Sequence, residues 1–524
     1  LTTDGTLALA VTSVTGDMSL TSSGAITDTG TITVSGTTTL ASGAANNIAF
    51  DTASNNFGTV VITNGNNVTL VDTNAIALGA STVSGNLSVT GGGAITDSGV
   101  LTVTGNSSFA AGANAITLDL ANDFVGAVGL SNTGSNNVLI DDANNLSLGT
   151  VTVGGDFSVD NAGTISGSGV VTVSGNTVLD NQDGANSAII LSNAANAFTG
   201  TVTFTTDTGS NVSLTDNTAL DLQSGLNIND LTIVAGGAIT QSGALTIAGI
   251  SSLTTTATDA TITLGSANAL GGNVILSTAG TAGHATIDNG TTALGVQGTV
   301  NGNLALTSGE AITDSAVLTV SGTTTATTDV NDKAITLDTL ASTGNVILTT
   351  AGTTGHATID NTTTALGVQG TVNGNLALTS GGAITDSSTL TVSGTTTATT
   401  DVNNKAITLD GLVSTGNVIL STMGTTGHAT IDNTTTDLGV QGTVNGNLAL
   451  TSGGVITDSA VLTVSGTTTA TTDVNNKAIT LDGLVSTGNV ILTTAGTTGH
   501  ATIDNTTTAL GVQGTVNGNL ALTS

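Results

Sequence analysis

Four histidines are the first residues in this 524-residue chain to suggest chemistry. His284, His356, His428 and His500 each sit in the segment Gly-His-Ala-Thr-Ile-Asp-Asn, and each lies 72 residues from the next. An imidazole followed four residues later by a carboxylate (Asp288, Asp360, Asp432, Asp504) supplies two of the three or four ligands that a zinc ion takes. No cysteine exists and no second histidine is near, so each site would be incomplete. Metal ligands sit ~2 Å from the ion, which rules out sharing between repeats. A solvated turn histidine in each repeat is the expectation.

The other chemically suggestive groups are few. The run Asp141-Asp142-Ala143-Asn144-Asn145 has the oxygen donors for a weakly held calcium ion, but Asp and Asn stabilise turns unaided. Neither an EF-hand loop nor a Gly-Gly-x-Gly-x-Asp nonapeptide is present. No stoichiometric calcium is therefore expected. The acid–base repertoire is narrow: one glutamate (Glu310), three lysines (Lys333, Lys405, Lys477), no Arg, Cys or Tyr. A residue set repeated along a chain is also unlike an active site, which is one asymmetric cluster. Gly91-Gly92-Gly93 opens no helix, so it is not a phosphate loop. Runs such as Thr467-Thr468-Thr469 and Thr102-Val103-Thr104 suggest an ice-binding array, yet the motif does not keep one position from coil to coil, and β-propensity accounts for the threonine. No catalytic, cofactor-binding or metal-binding residue is assigned, and the chain is not expected to be an enzyme.

Composition bounds what could position such groups. Pro, Cys and Trp are absent, Gly numbers 71, and all seven Phe lie between Phe50 and Phe204. Thr and Val favour extended backbone while Gly and Asn favour turns, so helix is disfavoured throughout. With 38% hydrophobic residues the chain is too apolar to be disordered. The formal net charge of −32 repels nucleic acid and anionic lipid, because no cationic face exists to displace counterions. No apolar run approaches the ~20 residues that span a bilayer as a helix. The lack of cysteine excludes a disulfide framework and accords with a secreted bacterial protein. The chain starts at Leu1 and stops at Ser524 within its pattern, so it is read as a segment of something longer.

That pattern is a repeat of about 72 residues. Besides the histidines, an Ile after Gly-Ala or a variant recurs at Ile26, Ile95, Ile165, Ile239, Ile312, Ile384 and Ile456, in steps of 69, 70, 74, 73, 72 and 72. A second marker is Asn-Asn-Phe57, Asn-Asp-Phe124, Asn-Ala-Phe198 and Asn-Ala-Leu270. The chain is thus expected to be one continuous solenoid of about seven repeats over 1–524, diverged in 1–250 and near-identical in 251–524. The stretch 416–487 divides into sub-segments of 29, 22 and 21 residues, each carrying apolar-x-apolar triplets such as Leu448-Ala449-Leu450, Leu462-Thr463-Val464 and Ile479-Thr480-Leu481. Alternation over three to five residues is the period of a strand with one buried face. Two folds fit: a parallel β-solenoid with each sub-segment one coil of about three short strands, or a string of β-sandwiches. The later repeats lack the large aromatics on which sandwich cores lean, and no linker breaks the frame. The expected fold is all-β, a β-solenoid with about three coils per repeat, about 22 coils in all and a rod roughly 100 Å long. Successive repeats would lie ~14 Å apart along it. Leu450 should then face inward and Asp432 outward, so Asp432→Asn should do almost nothing.

Residues 375–387 (Asn-Leu-Ala-Leu-Thr-Ser-Gly-Gly-Ala-Ile-Thr-Asp-Ser) and 55–63 (Asn-Asn-Phe-Gly-Thr-Val-Val-Ile-Thr) resemble the rod repeats of filamentous-haemagglutinin-like proteins, giant bacterial exoproteins that include autotransporter and two-partner-secreted adhesins. The resemblance implies a right-handed parallel β-helix, extracellular or cell-surface location, and a part in attachment. That family's secretion domain carries an Asn-Pro signature, which a chain without proline cannot contain. The expected function is a structural rod or stalk of such an adhesin or extracellular filament. The alternative is a multivalent adhesin surface whose repeated loops, such as Thr425–His428, bind glycan or protein; a polysaccharide lyase is the third reading. Partners expected are other repeats of the same long chain, with lateral self-association or a cell-surface glycan or protein beyond them. Nucleic acid and membrane insertion are not expected, and neither is a cofactor.

Overall fold

A computed structural model describes residues 1–182, 186–362, 364–505 and 509–524. Every regular element among them is a β-strand, and every pairing between strands is parallel. The chain divides into two compact units, Leu1–Ala257 and Thr258–Ser524. Each is a β-solenoid, and together they make about 26 turns.

In the first unit a coil has three sides. Strands Ile76–Leu78, Ser81–Val83 and Leu87–Gly91 pair in turn with Ile95–Asp97, Leu101–Val103 and Ser107–Gly112 of the next coil. Elsewhere two sides merge into one bent strand: Ile116–Phe124 pairs with both Ile95–Asp97 and Leu101–Val103. Alternate residues point inward, because successive side chains on a strand leave opposite faces. The strand Val68–Asp72 buries Val68, Leu70 and Asp72 and leaves Thr69 and Val71 partly exposed. The phenylalanines fill this unit's interior. Phe50 stacks on Phe57 with ring centroids 5.6 Å apart, and Phe109 meets Phe124 edge-on at 5.9 Å. Both geometries suit aromatic quadrupoles.

From Val274 on, the second unit has two ladders of strands, each strand pairing with the second strand along the chain. The triplets Leu448-Ala449-Leu450, Leu462-Thr463-Val464 and Ile479-Thr480-Leu481 all read buried, intermediate, buried. Straight strands such as Leu376–Ser380 alternate with bent ones such as Leu366–Val372, whose register shifts between Val368 and Gly370. The bend depends on glycine: Gly370 has φ 115°, and a Cβ there would lie 2.1 Å from the Leu348 carbonyl oxygen.

The coil is shorter than the 29-, 22- and 21-residue division expected. Stacked positions lie 18 residues apart at Leu294 and Ile312 and 23 apart at Ile312 and Ile335. One repeat contains seven strands: Leu304–Ser308, Ile312–Val320, Thr324–Thr328, Ile335–Ser342, Val346–Thr350, Ala357–Asn361 and Leu366–Val372. At two strands per coil, this is three and a half coils, not three. An odd strand count puts equivalent strands of consecutive repeats in opposite ladders. Leu304–Ser308 stacks under Thr324–Thr328, whereas Leu376–Ser380 stacks on Ala357–Asn361 of the other ladder. The first unit keeps the same phase. Ile26 reaches Ile165 through Ile48, Val68, Leu87, Ser107, Val128 and the strand holding Leu146 and Leu148, which is seven coil steps for two repeats. Ile95 reaches Ile239 by an equal number of steps on a separate column. Repeats therefore lie ~17 Å apart along the axis, not ~14 Å, and alternate by half a coil.

Two predictions follow from this packing. Leu450 is 1% exposed, so Leu450→Asp should cost several kcal/mol and melt the coils around it, read by circular dichroism. Asp432 is partly buried beside Asp473 and Asp410, and burial first and these neighbours second push its carboxyl up. Asp432→Asn should therefore stabilise slightly at neutral pH, not merely be silent. The half-coil phase predicts that spin labels on Thr353→Cys and Thr497→Cys, two repeats apart, sit about 34 Å apart, seven coil rises. Three coils per repeat would put them at about 29 Å.

Candidate functional site

Each histidine closes the turn before an Ala-Thr-Ile-Asp strand, starting at Ala285, Ala357, Ala429 or Ala501. The rings are exposed, but Nδ1 has a task. It accepts the backbone N–H of Asn303, Asn375, Asn447 or Asn519 in the next coil at 2.8 to 2.9 Å. An accepting Nδ1 places the neutral ring's proton on Nε2. One coil on, Asn303 Oδ1 accepts the N–H of Thr323 at 2.9 Å. The first unit builds the same staircase from asparagine and aspartate: Asn67, Asn86 and Asn106 accept from Asn86, Asn106 and Ala127 in turn, and Asp156 accepts from Asn176. Histidine thus replaces asparagine as a corner acceptor. The aspartate four residues on, as in His284 and Asp288, lies across an extended strand ~13 Å away. The described residues contain no cluster of three or more metal-ligating side chains.

A second corner acceptor recurs at Asp332, Asn404 and Asn476, all with φ of 64°. Their Oδ1 atoms each take two backbone N–H groups of the next coil, Thr353 and Thr354 in the case of Asp332. Those two donors hold the Asp332 carboxyl below the usual range. Lys333 Nζ lies 2.7 Å from Glu310 Oε2, a partly exposed pair. At the positions equivalent to Glu310, the repeats of Lys405 and Lys477 carry Gly382 and Gly454. The lysines therefore share no common ionic partner. Gly92 lies in a turn where a Cβ would meet the Thr73 oxygen at 2.3 Å, so this glycine run serves close coil packing.

The acidic run splits across the wall. Asp141 faces out, in register with Asp160 and, one coil on, Asp180. Burial, then the charges of Asp160, Asp97 and Asp119, push its carboxyl up. Asp142 points in and is fully buried. It belongs to a set not anticipated from the sequence, one inward polar residue per repeat: Asp72, Asp142, Asp216, Asn289, Asn361, Asn433 and Asn505, each 0–2% exposed. The signal was present as a polar residue at inward parity, as in Val68-x-Leu70-x-Asp72. The asparagines clamp both backbone groups of one residue. Asn361 Oδ1 accepts the Ser342 N–H at 2.8 Å while its Nδ2 donates to the Ser342 oxygen at 3.0 Å. An ionised aspartate accepts but has nothing to donate. Asp72 and Asp216 use both oxygens as acceptors, from Phe57 and Asn74, and from Phe198 and Thr218. Asp142 Oδ1 accepts from Phe124 N–H at 3.1 Å, but its buried Oδ2 has no partner. Burial pushes this carboxyl up to about 6, with Asp123 and Asp141 adding to the shift.

Because the folded state binds that proton more tightly than an unfolded aspartate does, the group's stabilising contribution is complete below pH ~4 and is lost as the pH rises through about 6. Asp142→Asn should raise stability by up to about 3 kcal/mol at pH 8 and by nothing measurable at pH 3.5, read by melts across pH. A gain independent of pH would show that the carboxylate is not strained.

The threonines form a file, not a flat array. Thr307, Thr327, Thr349, Thr371 and Thr391 stack in register, so a single threonine position persists across coils. The neighbouring column reads Ala305, Thr325, Ile347 and Gln369, so paired Thr-x-Thr rungs occur only singly.

No curated protein and no solved structure matches the chain. A family model described as repeats of unknown function (DUF5649) matches residues 1–64, 65–131, 135–205, 209–277, 282–354, 354–421 and 426–496. Seven consecutive matches of about 70 residues cover nearly the whole chain, so this β-solenoid belongs to the family of DUF5649 repeats.

Proposed function

We propose that the chain is a structural spacer: a stalk segment of a large secreted or cell-surface bacterial adhesin or extracellular filament, and not an enzyme. One observation carries this reading. Polar groups that recur from repeat to repeat, the histidines and the corner acceptors Asp332, Asn404 and Asn476 among them, are engaged in coil-to-coil hydrogen bonds that extend the ladder. A repeat whose conserved chemistry is spent on its neighbours adds length without disturbing what precedes it. Support also comes from the near-identity of the later repeats and from the likeness to exoprotein rod repeats. The same likeness supports an extracellular location, with which the absence of cysteine accords.

The experiment uses the purified chain. A spacer shows no saturable binding to cell surfaces or glycan arrays and no depolymerisation of polysaccharides. Saturable binding that weakens when Thr353, Thr425 and Thr497 are replaced would favour a multivalent adhesive surface with repeated weak contacts. Polysaccharide cleavage would favour a lyase.

A further inference from the structure

The second unit carries charge-free patches of sheet surface on a strongly acidic chain. On one ladder the outward column Thr307, Thr327, Thr349, Thr371 stands beside Ala305, Thr325 and Ile347, with no ionisable side chain in either column after Asp288. The half-coil phase reproduces this patch on the other ladder as Thr379, Thr399, Ser421, Thr443, and again on the first as Thr451, Thr471, Thr493, Thr515. In the first unit one equivalent column is acidic, with Asp141, Asp160 and Asp180, while that of the preceding repeat is uncharged, with Val71, Thr90, Ala110 and Ser131.

We infer that these patches are docking surfaces for a second copy of this chain, joining molecules side by side through both ladders. Three features select that occupant. With a net charge of −32, two copies repel wherever acids meet, and the threonine patches are sheet surface on which no acids meet. Each patch is only about four coils tall, ~19 Å, far below the ~800 Å² per partner of a stable interface, so a partner must engage several at once. A partner that meets patches recurring every seven coils must share that period, and a second copy does so by construction. Facing sheets of equal ~4.8 Å rung spacing can then interdigitate their Thr and Ile side chains. Because the patch appears on both ladders, a molecule engaged on one retains a free surface on the other, and growth is open-ended. This goes beyond the spacer reading and does not depend on it.

The test compares three forms of the full chain by sedimentation velocity and small-angle scattering at rising concentration and at about 1 M NaCl, which screens the net charge. Wild type should associate laterally, with an increased cross-section, and more so at high salt. The face variant carries Thr307→Asp, Thr327→Asp, Thr379→Asp, Thr399→Asp, Thr451→Asp and Thr471→Asp, placing acids where the first unit's fold already holds Asp160 and Asp180. It should keep its β-sheet spectrum and need at least about tenfold higher concentration to associate. The corner variant carries six aspartates at the exposed Ala316, Val317, Ser388, Thr389, Ala460 and Val461 and should behave as wild type. Wild type that stays monomeric at high salt, face and corner variants that lose association equally, or a face variant that associates as readily as wild type would each overturn the inference.

Discussion

The whole structure depends on one constraint: each coil's backbone must pair in parallel with the coil before and the coil after. Neither a single coil nor a single repeat can bury its own apolar face or satisfy its own N–H and C=O groups. Once the ladder forms, identical inward positions stack at a spacing of ~4.8 Å, so the interior is a set of columns and not a packed globule. Leu, Ile and Val fill those columns because they are branched, compact and flat against one another. The first unit adds phenylalanine, and its rings stack or meet edge-on across neighbouring strands.

Stacking makes polar groups costly unless they pair along the same axis. The corners solve this with a staircase in which an Asn, Asp or His oxygen or nitrogen takes an N–H from the coil above. The interior solves it with one inward Asp or Asn per repeat, as where the amide of Asn361 satisfies both backbone groups of Ser342. An aspartate at that place is tolerated when other donors reach it, as at Asp72 and Asp216, and strained when one oxygen is left alone, as at Asp142. The later repeats all use asparagine there, an interior group that does not titrate.

The half-coil phase is a consequence of arithmetic with chemical effects. Seven strands distributed over two ladders return to the same ladder only after two repeats. Any feature written once per repeat is therefore presented on both ladders in turn, whether a histidine corner, an acid column or a threonine file. A repeat with an even number of strands would have displayed everything on one side.

Sequence alone determined the strand character, the repeat and the inward parity. Alternation at Leu448-Ala449-Leu450 can be satisfied only by an extended strand with one buried face, and the absence of proline and of large aromatics in the later repeats removed the competing architectures. Tertiary structure decided what depends on register. Coil length could not be read from turn clusters, because bent strands such as Leu366–Val372 pass a corner without a break in pattern. The role of His356 could not be read either, since its partner, the N–H of Asn375, lies 19 residues away and is brought near only by stacking. The same holds for the threonine file and for Asp142: which residues share a column is a property of the pairing between coils, and a one-residue slip in that pairing would have assigned each of them different neighbours.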